Sequence, residues 1–250
     1  MMQRSLKNLL ATTLLLTSGI AAAGTVTLTA TVRDFQQSHE DFQINATGVV
    51  TGLVQTGLGP DGKPVYNGGT SLSTEANFDQ WYNDTAGVNQ NFSIDLVATE
   101  TFVGSGVYNY TNNNYFPLNN LGFGNEGNSN NYHFTTEIKT LFTYESGQDF
   151  SFTGDDDVWV YINGQLVVDL GGVHGAATGA VDIDTLGLTL GNIYTLDIFH
   201  AERRTTQSNF SFTTSAVLST VEVSAPSNLA FLGLSIVGLG WASRKNKNKK

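Results

Sequence analysis

Apolar and polar residues alternate with a period of two along most of the chain. Thr25-Val26-Thr27-Leu28-Thr29-Ala30-Thr31-Val32 alternates without a break, the pattern of a strand with one face on a core and one in water. Similar runs cover Phe92 to Val97, His133 to Tyr144, Asp149 to Phe152, Val158 to Ile162, Gln165 to Leu170, Ile193 to Phe199 and Asn209 to Thr213. Asn163-Gly164 separates two of them, and that dipeptide favours a type I′ hairpin turn because both residues tolerate positive φ. Many short strands broken by turn residues predict an all-β, antiparallel β-sandwich. One short helix interrupts the series: Thr74 is placed to cap it, Glu75 suits its positive end, and Phe78, Trp81 and Tyr82 share one face. Two long loops remain, Gly52 to Ser73 and Asn109 to Asn131. Loops of this length often carry function. Their aromatics Tyr110, Tyr115, Phe116 and Phe123 either stack on sugar rings or pin the loops to the core, and for Phe116 the second is expected.

Composition sharpens this picture. Only 14% of residues are charged, against about 25% in typical soluble domains. The surface must therefore come from Asn, Thr, Ser, Gln and Gly, which suit turns and sheets. There is no cysteine, so no disulfide framework holds the fold. Between Gly24 and Ala225 there are 22 acidic residues against five basic ones (Arg33, Lys63, Lys139, Arg203 and Arg204), a net charge of −17. Such a surface repels nucleic acid and anionic lipid and attracts divalent cations.

The two ends have a different character. Arg4 and Lys7 precede the apolar run Leu9 to Leu16, and Ala21-Ala22-Ala23 follows. Residues 1–23 are expected to be a signal peptide cleaved between Ala23 and Gly24. Residues 221–250 carry an apolar run, 229–242, followed by Arg244, Lys245, Lys247, Lys249 and Lys250. That run is shorter than the roughly 20 residues of an ordinary span, which fits transient anchoring in the inner membrane. The whole tail resembles a PEP-CTERM sorting signal, whose partner is an exosortase-type sorting peptidase. Ser224, Ala225 and Pro226 stand at the motif, without the Glu of the triplet. Residues 24–220 then form the folded domain of an exported protein of the outer membrane surface or extracellular matrix.

The densest chemistry lies between Phe150 and Gly175. Asp155, Asp156 and Asp157 are consecutive and precede a very apolar strand. Three adjacent carboxylates at the edge of a core repel one another unless a cation neutralises them. Calcium, a hard ion that takes six to eight oxygen ligands in irregular geometry, is the expected cofactor. The lack of cysteine and the scatter of the four histidines argue against zinc. Asn163 is a further expected ligand. Asp169, His174, Glu202 and Arg203 are candidates for ligation or for support of the Gly171-Gly172-Val173-His174 loop. Asp182 and Asp184 are expected to share a face of a later strand.

From Thr31 to Ser215 the chain resembles the fibro-slime domain. The segments TVRDFQQSHEDF, DGKPVY, FDQWYND, YFPLNNLGFGNE, YHFTTEIKTLFTYESGQDF and FTGDDDVWVYINGQLVVDLGGVHG carry the resemblance in order. That family is similar in turn to the protective-antigen-type β-sandwich of yeast flocculin lectins. The resemblance implies that Asp155 and Asp156, joined by a cis peptide, hold calcium, and that calcium helps to hold a sugar. Asp157 stands where the lectins often have Gly. The function expected is a calcium-binding, adhesin-like surface module with an extracellular polysaccharide or glycan as partner. A structural coat protein stabilised by calcium is the alternative. A polysaccharide hydrolase built from Glu202, Asp197 and His174 is a third reading, but HExxH, GxSxG and Walker motifs are all missing, and no enzyme activity is expected.

Overall fold

A computed structural model describes residues 22–219. Residues 1–21 of the expected signal peptide, the expected sorting motif Ser224-Ala225-Pro226 and the apolar run 229–242 lie outside the described residues. Among those described, no helix is long and apolar enough to cross a membrane.

The described residues form thirteen antiparallel strands: β1 (Thr25–Phe35), β2 (Val54–Leu58), β3 (Pro64–Tyr66), β4 (Asn89–Glu100), β5 (Tyr108–Asn112), β6 (Phe134–Thr143), β7 (Asp149–Gly154), β8 (Asp157–Ile162), β9 (Gln165–Leu170), β10 (Ala177–Asp182), β11 (Ile193–Glu202), β12 (Phe210–Thr214) and β13 (Val217–Ser219). They run in the order β10-β7-β12-β5-β4-β1-β6-β11-β8-β9-β2-β3, a single curled sheet whose halves face each other as a sandwich. β1 passes between the halves: it pairs with β4 along its whole length, but with β6 only from Ala30 to Asp34. β13 takes the remaining edge of β6, from Leu141 to Thr143. At the far side β10 closes onto β9, and Gly179 allows it. A Cβ there would lie 2.5 Å from Val168 Cγ1.

The main core lies between the two halves and includes Leu28, Val32, Leu96, Phe150, Phe152, Val160, Ile198 and Phe212. A second cluster lies on the outer side of β8 and β11. There the helix α1 (Glu75–Tyr82) sets Phe78, Trp81 and Tyr82 against Trp159, Tyr161 and Phe199. Every residue of β8 is buried: Val158, Val160 and Ile162 face the main core, and Trp159 and Tyr161 face the helix. Two covered faces explain why this strand reads as a continuous apolar run. The helix begins as expected, with Thr74 Oγ1 accepting from Asn77 N at 3.2 Å. The β8–β9 turn has positive φ at both Asn163 (52°) and Gly164 (74°), the requirement of a type I′ turn.

The structure corrects several expectations. The two long loops contain β2, β3 and β5. Tyr115 is fully buried, and Tyr110 stacks on Phe212 with ring centroids 5.9 Å apart. Phe116 meets Tyr132 edge-on at 4.9 Å, the pinning role expected of it. These three rings therefore anchor the loop to the body. Asp182 and Asp184 do not share a strand face. β10 ends at Asp182, whose carboxylate caps a 3-10 turn by accepting from Asp184 N at 3.0 Å. Asp184 in turn accepts from Tyr144 Oη, Ser146 Oγ and Gly147 N, and so ties down the turn before β7.

Candidate functional site

β7 ends at Gly154 and β8 starts at Asp157, so Asp155 and Asp156 form the crossing between two strands at one end of the sandwich. Gly154 is needed there, because a Cβ would meet Phe152 Cε1 at 2.6 Å and the Asn209 carbonyl at 2.9 Å. The Asp155–Asp156 peptide bond is cis, as the family resemblance implies. The two carboxylates are 2% and 5% exposed. They line a depression of about 290 Å³ whose other walls include Ala46, His174, Arg204 and Gln207.

Each carboxylate is aimed by N–H donors. Asp155 accepts from Asn209 N at 2.5 Å and from Asn209 Nδ2 at 2.7 Å. Asp156 accepts from His174 N at 3.2 Å and from Arg203 N at 2.9 Å. The Asp155 carbonyl accepts from His200 Nε2 at 2.6 Å. Burial holds the His200 imidazole down at about 4, so the ring is neutral at pH 7 and serves as a donor to the crossing. Burial raises Asp155, and Asn209 partly offsets it. Burial, then the neighbouring charge of Asp157, pushes Asp156 up to about 8. Glu202 is raised well above the ordinary carboxylate range, first by burial and then by Asp156 and Asp155. Its Oε2 is buried without a hydrogen-bond partner. Three carboxyl groups thus crowd one end of the domain with more negative charge than their surroundings accommodate.

Asp157 has a different job. It is fully buried, and its Oδ2 pairs with Arg203 Nη1 at 3.0 Å while its Oδ1 accepts from Gly172 N at 2.6 Å. Arg203 also donates to the carbonyls of Asp41 and Leu72, both at 2.8 Å, and its guanidinium lies 4.6 Å from the Trp81 ring centroid. It fastens loops and helix together behind the aspartate pair. Asp169 is also a support, accepting from Trp159 Nε1 at 3.1 Å and Gly52 N at 2.7 Å. The His174 ring lies within 2.9 Å of the Leu170 carbonyl and 2.8 Å of the Gly175 carbonyl, which shapes the Gly-rich loop.

Not all of the expected ligand set comes together. Asn163 follows β8 at its far end, roughly 20 Å from the pair at about 3.3 Å per residue. Among the described residues, no three His, Asp or Glu side chains converge as a metal cage. The donors that do converge are all hard oxygens, and two adjacent, pre-aimed carboxylates suit a hard divalent ion whose remaining ligands are backbone oxygens or water. The residues present therefore fit calcium through Asp155 and Asp156, not through all three aspartates. Asn209 and His200 were not among the expected residues. The only available signal was the alternation that puts His200 and Glu202 on one strand face. That same alternation separates the hydrolase trio: Asp197 and Glu202 lie on opposite faces of β11, five residues apart.

This fold, with its paired aspartates at one end, defines a class of β-sandwich domain, and the comparison with known proteins places the chain in a family. Residues 65–229 match the family model described as PA14 domain, and the chain belongs to that family. It is 38% identical over 216 residues to protein psiQ of Dictyostelium discoideum, a match covering 80% of this chain and 22% of that one. It is 36% identical over 220 residues to protein psiC of the same organism, covering 80% and 43%. The chain thus spans less than half the length of these relatives. Among solved structures it is similar to a PA14 sugar-binding domain from an RTX adhesin (11% identity, TM-score 0.37, 79% of this chain and 91% of that one). It is also similar to the PA14 domain of the MpAFP antifreeze protein (8% identity, TM-score 0.35, 79% and 84%).

Proposed function

We propose that the chain is an exported, calcium-stabilised glycan-binding module of adhesin type, displayed at the cell surface or in the extracellular matrix. The observation that carries the reading is the Asp155–Asp156 pair: two buried carboxylates at the mouth of a depression, held by backbone donors, with Asp156 pushed up to about 8 when no cation is present. A calcium ion gripped by both would relieve that repulsion. Oxygens from the Val173–Gly175 and Thr206–Gln207 walls are the nearest source of further ligands. The glycan part of the reading rests on the resemblance to flocculin lectins, in which the ion helps to hold a sugar. Export rests on the signal-like segment before Gly24. Transient anchoring and sorting rest on the tail that follows residue 220. A binding role is favoured over catalysis because Asp197 and Glu202 face opposite ways.

The test is a melting curve titrated with Ca²⁺ and then with chelator. Calcium at 100 times its Kd stabilises by about 2.7 kcal/mol, which raises the melting temperature of a domain this size by about 5–10 °C. Asp155→Ala and Asp156→Ala should each abolish most of that rise. Equal melting of wild type with calcium and with chelator would sink the reading. A glycan array run in both conditions then separates the lectin from a structural coat protein stabilised by calcium, which would bind no glycan in either.

A further inference from the structure

The layer β10-β7-β12-β5-β4-β1 turns one side to the core. The residues on its other side are exposed or half-buried. One rung across all six strands reads Ala180, Ser151, Thr213, Asn109, Thr99 and Thr25. At about 4.8 Å between strands it is roughly 24 Å long. β1 continues the theme with Thr27, Thr29 and Thr31, opposite Val97, Asp95 and Ser93. Asp95 is the sole charged residue in the middle of this face, and it accepts from Thr29 Oγ1 at 2.8 Å. Asp149 and Asp182 pair at its rim. The basic residues gather instead around Glu137 of β6: Arg33 at the far end of β1, with Lys63 and Lys139. A strongly acidic domain therefore presents one broad face of hydroxyl and amide groups with little charge.

That face also has a hollow. β4 and β5 pair only at Thr99–Asn109 and Glu100–Tyr108, then part. The gap is about 520 Å³, walled by Val97, Thr99 and Thr101 on one side and by Asn109, Tyr110 and Thr111 on the other. Glu100 also borders it, but its carboxylate accepts from Gly24 N, Gly104 N and Gly106 N. The hollow thus offers threonine hydroxyls that both donate and accept, and the apolar surface of Val97, while the Asn109 amide is held by the Phe212 carbonyl, Thr213 Oγ1 and Thr111 Oγ1.

We propose that this face is a second carbohydrate surface, which takes a neutral, hydroxyl-rich polysaccharide chain with one residue seated in the β4–β5 hollow. The charge pattern selects the partner. An anionic polymer is repelled by the domain as a whole, and a cationic one finds denser carboxylates elsewhere. An apolar protein partner finds only Val97 exposed on these strands, with Phe102 and Val103 confined to the loop between β4 and β5. A neutral glycan exchanges its water-bound hydroxyls for Thr and Ser groups without stranding a charge, and a ring face rests on Val97. The surface lies outside the aspartate depression and does not depend on calcium.

The experiment is affinity electrophoresis of the protein through gels containing hydroxyethyl cellulose, galactomannan or, as the anionic control, alginate. At least one neutral polymer should retard the wild type and alginate should not. Thr99→Glu and Thr111→Glu should each weaken retardation at least tenfold. Thr111 lies beyond the β4–β5 ladder, so the second variant gives a reading even if the first disturbs folding, and melting curves identify which variants are intact. Asp155→Asn, and chelator, should leave retardation in place. Three results would overturn the proposal: no retardation by any neutral polymer; retardation lost in Asp155→Asn but kept in both hollow variants; or face variants that change only self-association in the ultracentrifuge.

Discussion

Replacing Arg203 by Met keeps the length of the side chain and removes its charge. In the folded protein the guanidinium is fully buried, 3.0 Å from the Asp157 carboxylate. Removing one partner of such a pair leaves an uncompensated buried charge, which costs about 3–5 kcal/mol. The carbonyls of Asp41 and Leu72 lose their donors as well, at about 1–3 kcal/mol for each that stays dry. These losses share one side chain and do not simply add. A total of about 5 kcal/mol is expected, or about 10–20 °C in melting temperature for a domain of this size. Guanidinium unfolding followed by tryptophan fluorescence suits the test, because Trp81 and Trp159 lie 6.1 Å apart in the cluster that Arg203 braces. Arg203→Lys should fall between wild type and Arg203→Met, since Lys keeps the charge but not the planar fork. Asp157→Asn combined with Arg203→Met should cost clearly less than the sum of the two. A loss below about 1 kcal/mol in Arg203→Met would refute the claim that this arginine fastens the site.

Asp156 links stability to pH. Its folded value of about 8 lies above its ordinary 3.8, so without metal its contribution is full below about pH 4 and is lost as pH rises through about 8. The slope is at most about 1.4 kcal/mol per pH unit. In chelator the wild type should therefore melt lower at pH 8 than at pH 5, Asp156→Asn should show a flatter profile, and calcium should rescue only the wild type; parallel profiles would count against the assignment. Thr74→Ala removes the helix cap and should cost about 1 kcal/mol by urea titration, with no change in calcium response. Mass spectrometry of the exported protein should find Gly24 as its first residue, its nitrogen held by Glu100 Oε2 at 2.8 Å; a different first residue would remove the basis for the expected cleavage.

Much of the fold was legible because its strands bury one face. β9 runs from Gln165 to Leu170, the bounds its alternation predicts. The helix was legible because Phe78, Trp81 and Tyr82 meet on one side and Thr74 caps it. β2 was missed because Val-Gln-Thr-Gly-Leu has too little apolar rhythm, and only a single rung joins it to β9, with the three-residue β3 as its other neighbour. At the site, the run of aspartates was conspicuous, but the division of labour was not. Alternation alone does not say that Asp157 meets an arginine from β11's end. Asn209 carries no local signal, since Asn before a strand is common turn chemistry, and its role comes from β12 lying beside β7. Asn163 misled because closeness in sequence is not closeness in space across a six-residue strand.

The register of β6 also sets an orientation. Glu202 stands level with Phe134 at one end of that strand, beside the aspartate crossing. Ser219, the last described residue, stands level with Leu141 towards the other end, roughly 20 Å away at about 3.3 Å per residue. Because β13 runs antiparallel to β6, from the level of Thr143 to that of Leu141, the chain at Ser219 has already turned back towards the end that carries the aspartate crossing.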